Sequence, residues 1–118
     1  MSVMYDLEER TLKLAVSVRK FVKLIPKTVS NFEDSKQLVR SSGSVGANYI
    51  EANEALSRKD FLMRIKISRK EARESIYWLK IILQSNDLNV DTVYQCESLI
   101  QETTEIRNIL SAIINKSM

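Results

Sequence analysis

The sequence has no histidine, one cysteine, one proline and two glycines among its 118 residues. The missing histidine removes the commonest general base and the commonest metal ligand. With Cys96 as the only thiol, neither an internal disulfide nor a zinc site of the usual spacings can be built from one chain. A free thiol fits a reducing compartment, and Cys96 itself reads as a small buried apolar residue rather than a reactive one. So few glycines and prolines argue against an all-β sandwich and for long helices. No stretch approaches the roughly 20 apolar residues that span a bilayer. The acidic opening, Tyr5-Asp6-Leu7-Glu8-Glu9, lacks the apolar segment of a secretory signal. The chain is therefore expected in the cytoplasm, without a membrane, a metal, a cofactor or a small-molecule substrate. No catalytic residue suggests itself.

What is present is helical periodicity. Hydrophobic residues make up 44% and charged residues 28%, ordinary values for a globular chain of one domain, here spanning 1–118. Leu7, Thr11, Leu14, Val18, Phe21 and Ile25 recur at spacings of four and three, the seam of a helix over about 6–25. Asp6, Glu8 and Glu9 suit its first turn and Lys20 and Lys23 its last, by the helix dipole, and Pro26 stops it. Ser30 or Asn31 is placed to cap a second helix, over about 31–55, seamed by Leu38, Ser42, Val45, Tyr49 and Ala52. Ser57-Arg58-Lys59-Asp60 resembles a capping box and opens a third, over about 58–85, whose seam is small in the middle at Ser68, Ala72 and Ser75. Asn89 or Asp91 opens a fourth, over about 90–115, seamed by Cys96, Leu99, Thr103, Ile106, Leu110 and Ile113. Short connections make neighbouring helices antiparallel. The fold class is all-α, an antiparallel up-down-up-down four-helix bundle.

The second helix carries the oddest stretch, Ser41-Ser42-Gly43-Ser44-Val45-Gly46-Ala47-Asn48-Tyr49-Ile50-Glu51-Ala52. Each interior glycine costs about 1 kcal/mol relative to alanine, so something must offset it. A phosphate-binding loop needs a preceding strand and usually a lysine and a hydroxyl after the glycines; here Ala47 and Asn48 follow. The GxxG clamp of one RNA-binding module needs a sheet. Close helix packing fits better. Ser44 lies 13 residues before Ser57 and Ser68–Ala72 lies 11 to 15 after it, so the two small stretches face each other across the turn. Within it Ser44, Asn48 and Glu51 are expected to form a polar seam, with Arg69, Lys70 or Arg73 as partners. A paired-carboxylate site using Glu51 with Glu71 or Glu74 is the sharper and weaker alternative. The Glu-x-x-His repeats of two-metal bundles are absent. On the third helix Glu71, Glu74 and Trp78 share a flank, a candidate oligomer contact in which a carboxylate pairs with a neighbour's arginine.

The net charge is +3, unevenly spread: residues 10–40 carry eight Lys/Arg against two acids and residues 58–73 seven against two. Lys13 and Lys20 oppose the apolar seam of the first helix, and Lys66, Arg69 and Arg73 share a stripe on the third. These five are the candidate nucleic-acid contacts, since phosphate binding needs clustered cations more than a high net charge. The plainer reading is a solvated surface.

The blocks Gln37-Leu38-Val39-Arg40-Ser41, Ser44-Val45-Gly46-Ala47-Asn48 with Glu51-Ala52, Ser57-Arg58-Lys59-Asp60-Phe61 and Lys70-Glu71-Ala72-Arg73-Glu74-Ser75 with Tyr77-Trp78-Leu79 closely resemble the bacterial four-helix-bundle family that includes proteins encoded in intervening sequences of 23S rRNA genes. The resemblance covers nearly the whole chain. It implies a four-helix bundle and, from relatives, a barrel-like homopentamer of undetermined role. A related accessory protein of diversity-generating retroelements binds nucleic acid and a reverse transcriptase, which makes RNA or DNA a second expected partner. The resemblance carries over no catalytic residue.

Overall fold

The computed structural model describes residues 3–118, with side chains described from Leu7 onward. Four helices follow one another: α1 Val3–Phe21, α2 Val29–Asn53, α3 Arg58–Ser85 and α4 Val90–Ser117, with no strand among the described residues. The body measures 46 × 27 × 20 Å, a long axis set by the 28-residue α3 and α4, each about 42 Å at 1.5 Å per residue. α2 packs on α1 and on α3, and α4 packs on α3 and on α1. α1 and α3 lie diagonally opposed, as do α2 and α4, with no contact between either pair among the described residues. This is the antiparallel bundle that the periodicity and the short connections predict.

The seams do what their spacing requires. Leu7, Leu14, Val18 and Phe21 of α1 meet Leu38, Val45 and Tyr49 of α2, Ile65 and Leu79 of α3, and Ile106 and Leu110 of α4 in one buried cluster. Burying each such side chain is worth about 1.5–3 kcal/mol. Cys96 is fully buried among them.

Several helix ends differ from their expected positions, two of them with a clear cause. α1 stops at Phe21, a turn before Pro26, because the last turn tightens through Lys23 N–H to the Lys20 carbonyl at 3.3 Å and Leu24 N–H to the Phe21 carbonyl at 2.9 Å. Proline disfavours helical geometry at the residue before it, yet Ile25 still reaches the core. The side chain of Asp6, expected in the first turn of α1, lies outside the described residues. α2 starts two residues early, capped by Thr28, whose hydroxyl accepts from Asn31 N–H at 3.1 Å. That start leaves Glu33 and Asp34 beyond the first turn. It also frees the Asn31 side chain to join two loops. Buried, Asn31 exchanges reciprocal amide hydrogen bonds with Asn86 at 2.8 and 2.9 Å and donates to the Pro26 carbonyl. The α1–α2 and α3–α4 connections are thereby tied together at one end. Ser57 and Asn89 cap α3 and α4, accepting from Asp60 N–H at 3.1 Å and Thr92 N–H at 2.8 Å. At the other end Arg58 donates through Nε and Nη2 to the Ser117 carbonyl.

Candidate functional site

The stretch Ser41–Ala52 is a packing device with two sides. Toward α3, the Ser41 and Ser75 hydroxyls share a hydrogen bond at 2.8 Å, each also within reach of a carbonyl of its own helix, Leu38 at 3.3 Å and Glu71 at 2.9 Å. Ser68 donates to the Val45 carbonyl at 2.7 Å. All three serines are buried, and their bonds satisfy polar groups that the close approach takes out of water. The register across the turn is the one that the spacing from Ser57 predicts. Toward α1, the glycines provide the space. A Cβ on Gly46 would lie 2.8 Å from Thr11 Oγ1 and 3.1 Å from Thr11 Cβ, closer than side chains pack. One on Gly43 would lie 3.3 Å from the end of Arg19. The glycines thus answer to α1, and the expectation that they serve the contact with α3 is corrected: helical phase turns positions 43 and 46 away from 41 and 45.

The expected polar seam of Ser44, Asn48 and Glu51 lies one row outward of the real one. Ser44 donates to the Arg40 carbonyl of its own helix. Asn48 donates to the Ser44 carbonyl and accepts from Arg64 at 3.4 Å, so Arg64 stands where Arg69, Lys70 or Arg73 was expected. Glu51 is exposed. It sits about 16 Å along α2 from Arg40 at 1.5 Å per residue, and Arg40 is where Glu71 and Glu74 converge. A carboxylate pair of Glu51 with either is therefore ruled out by position.

Arg40 donates to Glu71 at 3.2 Å and to Glu74 at 2.8 Å. Glu71 is only 6% exposed, so the Arg40 charge is what makes its burial tolerable. The guanidinium is held charged by its hydrogen bond to Glu74 and the fields of both carboxylates, against the opposing effect of burial. The partner expected from a neighbouring copy is thus supplied within the chain. Trp78 is half-buried against the core, its ring 5.4 Å from that of Tyr77 in an edge-to-face arrangement.

A recess opens between α2 and α3 beside this fork. Arg40, Lys66, Arg69, Lys70 and Arg73 line it, with Tyr77 and Trp78 at one end. Lys66, Lys70 and Arg73 are exposed, while Arg69 leans toward α4 and Ser111 at 3.4 Å. The structure therefore gathers three of the five candidate nucleic-acid contacts, Lys66, Arg69 and Arg73, and adds Arg40 and Lys70. Lys13 and Lys20 are exposed on α1, which is diagonal to α3, so they belong to a different face.

A second opening, which sequence reasoning missed, runs between α1 and α2 above the glycines. Thr11, Ala15, Gly43 and Gly46 line it together with Glu8, Leu12, Ala47 and Ile50. Leu12 is 62% exposed and Ile50 46%. The signal was available: both fall beside, not on, the apolar seam of their helix. Sequence reasoning also missed a second arginine fork, Arg10 to Glu102 at 2.7 Å and to Glu105 at 3.2 Å, which joins α1 to α4. Its mark is a pair of glutamates three residues apart, the spacing of Glu71 and Glu74.

Among the described residues no three His, Cys, Asp or Glu side chains converge as metal ligands would, and no helix is long and apolar enough to cross a membrane. Burial pushes the Cys96 thiol up to about 11, with a smaller push from Glu97.

Fold and surfaces together define a four-helix bundle with an apolar opening between α1 and α2 and a basic recess beside α3. The model of the 23S rRNA-intervening sequence protein family matches residues 5–112, and the chain belongs to that family. It is similar to a solved structure from Bacteroides thetaiotaomicron VPI-5482, described as a protein of unknown function from the S23 ribosomal protein family. The two share 34% identity with a TM-score of 0.83 over 95% of this chain and 97% of that one. No curated protein matches the chain.

Proposed function

We propose that the chain is a non-enzymatic homo-oligomer, a pentamer as its resemblance implies, that serves in the cytoplasm as a scaffold or interaction protein. The observation that supports this best is the apolar opening between α1 and α2, where Leu12 and Ile50 stand exposed beside Ala15 and Ala47. Contiguous apolar surface of this kind marks a contact with another molecule. Light scattering at micromolar concentration is expected to give a mass several times that of the 13.6 kDa chain. A stable monomer removes the reading. The flank of Glu71, Glu74 and Trp78 enters the contact, if at all, through Trp78, since Arg40 already holds both carboxylates; Trp78→Ala then weakens assembly.

A second reading, a nucleic-acid-binding accessory protein, is favoured by the gathering of Lys66, Arg69, Lys70 and Arg73 around one recess beside an exposed Tyr77, with Arg40 at its edge already held by Glu71 and Glu74. Cations at such spacing suit a phosphate backbone, and a tyrosine face suits a stacked base. Structured RNA or DNA is expected to bind with an affinity that falls steeply with salt. Replacing Lys66, Arg69 and Arg73 with glutamine should weaken binding and flatten the salt slope by roughly 0.7–0.9 for each phosphate no longer neutralised. No binding at low salt ends this reading.

A further inference from the structure

The opening between α1 and α2 has a complement elsewhere on the same chain. The residues lining its floor are uncharged, the Arg19 guanidinium lies at the end beside Gly43 and Ala15, and its rim is acidic near the start of α1: Glu8 and Glu9 border it, and Glu51 stands one turn beyond Ala47 on the same face of α2. The N-terminal half of α3 has the opposite character. Leu62, Met63 and Ile67 form an apolar patch, with Met63 48% exposed, bordered by Lys59, Lys66 and Lys70. Apolar centre meets apolar centre, and the borders are mainly opposite in charge: three lysines against one acid, Asp60, on α3, and three glutamates beside the opening.

The two patches also overlap in height along the bundle. Gly46 is level with Thr11 of α1, Val45 with Ser68, and Asn48 with Arg64. The opening spans Gly43 to Ile50 on α2 and is therefore level with about residues 63 to 70 of α3, which overlaps the patch at Met63 to Ile67. Height decides what a head-to-tail contact builds. Two different patches joined copy to copy give a ring when the step is a pure rotation, and an open filament when a rise is added. Patches that overlap in height, facing outward in different directions, can be joined by rotation about an axis near parallel to the helices with little rise.

We infer that the Leu62–Met63–Ile67 ridge of one copy seats in the α1–α2 opening of the next, Lys59, Lys66 and Lys70 facing Glu8, Glu9 and Glu51, and that this contact, repeated, closes the ring. The inference rests on the homo-oligomer reading and assigns it an interface. It also restricts the nucleic-acid reading: Lys66 and Lys70 are covered in the ring, which leaves Arg73 and Tyr77 as the open part of the basic stripe.

The test is light scattering of the full chain at tens of micromolar, with helical content followed by circular dichroism. Glu8→Lys with Glu51→Lys, and separately Lys66→Glu with Lys70→Glu, should each reduce the mass to that of one chain, 13.6 kDa. All four positions are exposed, so the fold should persist. The chain carrying all four substitutions should recover the multimer, because the charges again oppose. Ala47→Arg, also exposed, should block the opening and give a monomer without reversing any charge. A wild-type monomer overturns the homo-oligomer reading and this inference with it. A wild-type multimer whose mass neither reversed pair changes overturns this inference alone and leaves the oligomer standing on other faces. A helical four-substitution chain that stays monomeric also overturns it.

Discussion

The bundle joins its helices in two different ways. α2 and α3 approach closely, through buried serines that hydrogen-bond across the gap, Ser41 to Ser75 and Ser68 to the Val45 carbonyl. α1 and α4 meet over bulkier side chains such as Leu14, Ile106 and Leu110. Each contact is flanked by the same ionic device, one arginine forked between glutamates three residues apart. The difference lies in what the fork guards. Arg40 neutralises a nearly buried Glu71, whereas both carboxylates held by Arg10 reach solvent. Hydroxyls allow close approach only if each finds a partner, so the tight contact is specific and the looser one is tolerant.

Substitutions should separate the two. The largest expected loss is for Ser75→Leu, which forces α2 and α3 apart and leaves the Ser41 hydroxyl only its longer bond to the Leu38 carbonyl: about 3 kcal/mol or more by denaturant unfolding. An enlargement at an exposed position of α4, as in Asn108→Leu, should change stability by less than about 0.5 kcal/mol. Gly46→Leu should follow at about 2–3 kcal/mol, because the new side chain meets Thr11. Thr11→Ala should recover part of that loss, and a purely additive double-mutant cycle would break the assignment of Gly46 to α1. Arg40→Ala should cost about 1–2 kcal/mol by leaving the Glu71 charge buried without its partner. Arg10→Ala should cost under about 1 kcal/mol, since its partners are solvated. Equal losses from the two arginines would erase the comparison. The effect of Cys96 is smallest at neutral pH. Its thiol is raised from 9.0 to about 11 in the fold, so its contribution is whole below 9 and is lost as the pH climbs to about 11, where the unfolded chain ionises first. Tyr49, raised by burial against a lowering hydrogen bond from Asn53, steepens the same decline. A Cys96→Ala chain should show a shallower fall in melting temperature over that range.

Much of this fold was legible because periodicity is a local property. Leu7 to Ile25 and Cys96 to Leu110 announce which face is inside, and Ser57 announces its own capping role. The pairing of two small stretches was legible too, from their equal distances to one turn. What each small residue faces was not. Gly43, Gly46, Ser41 and Val45 occupy two turns of one helix, and only the phase of the packed helix sends the first two to α1 and the others to α3. Arg40 and Arg10 were equally hidden: an arginine reads as solvated until a carboxylate from another helix arrives beside it. Glu51 shows the reverse error, since a polar residue in an unusual stretch looked internal and is not. The apolar opening escaped for the same reason. Leu12 and Ile50 are ordinary residues whose exposure depends on how closely α1 and α2 approach.

Both candidate surfaces border α2 or α3, and these two helices should form the rigid unit on which the surfaces are displayed. Native-state hydrogen exchange measures this directly. Amides in the middle of α2 and α3, around Val45, Tyr49, Ala72 and Ser75, should exchange slowest and only through global unfolding. Those of α1 should open first, at a lower free energy. Protection in α1 and α4 equal to or above that of α2 and α3 would contradict it.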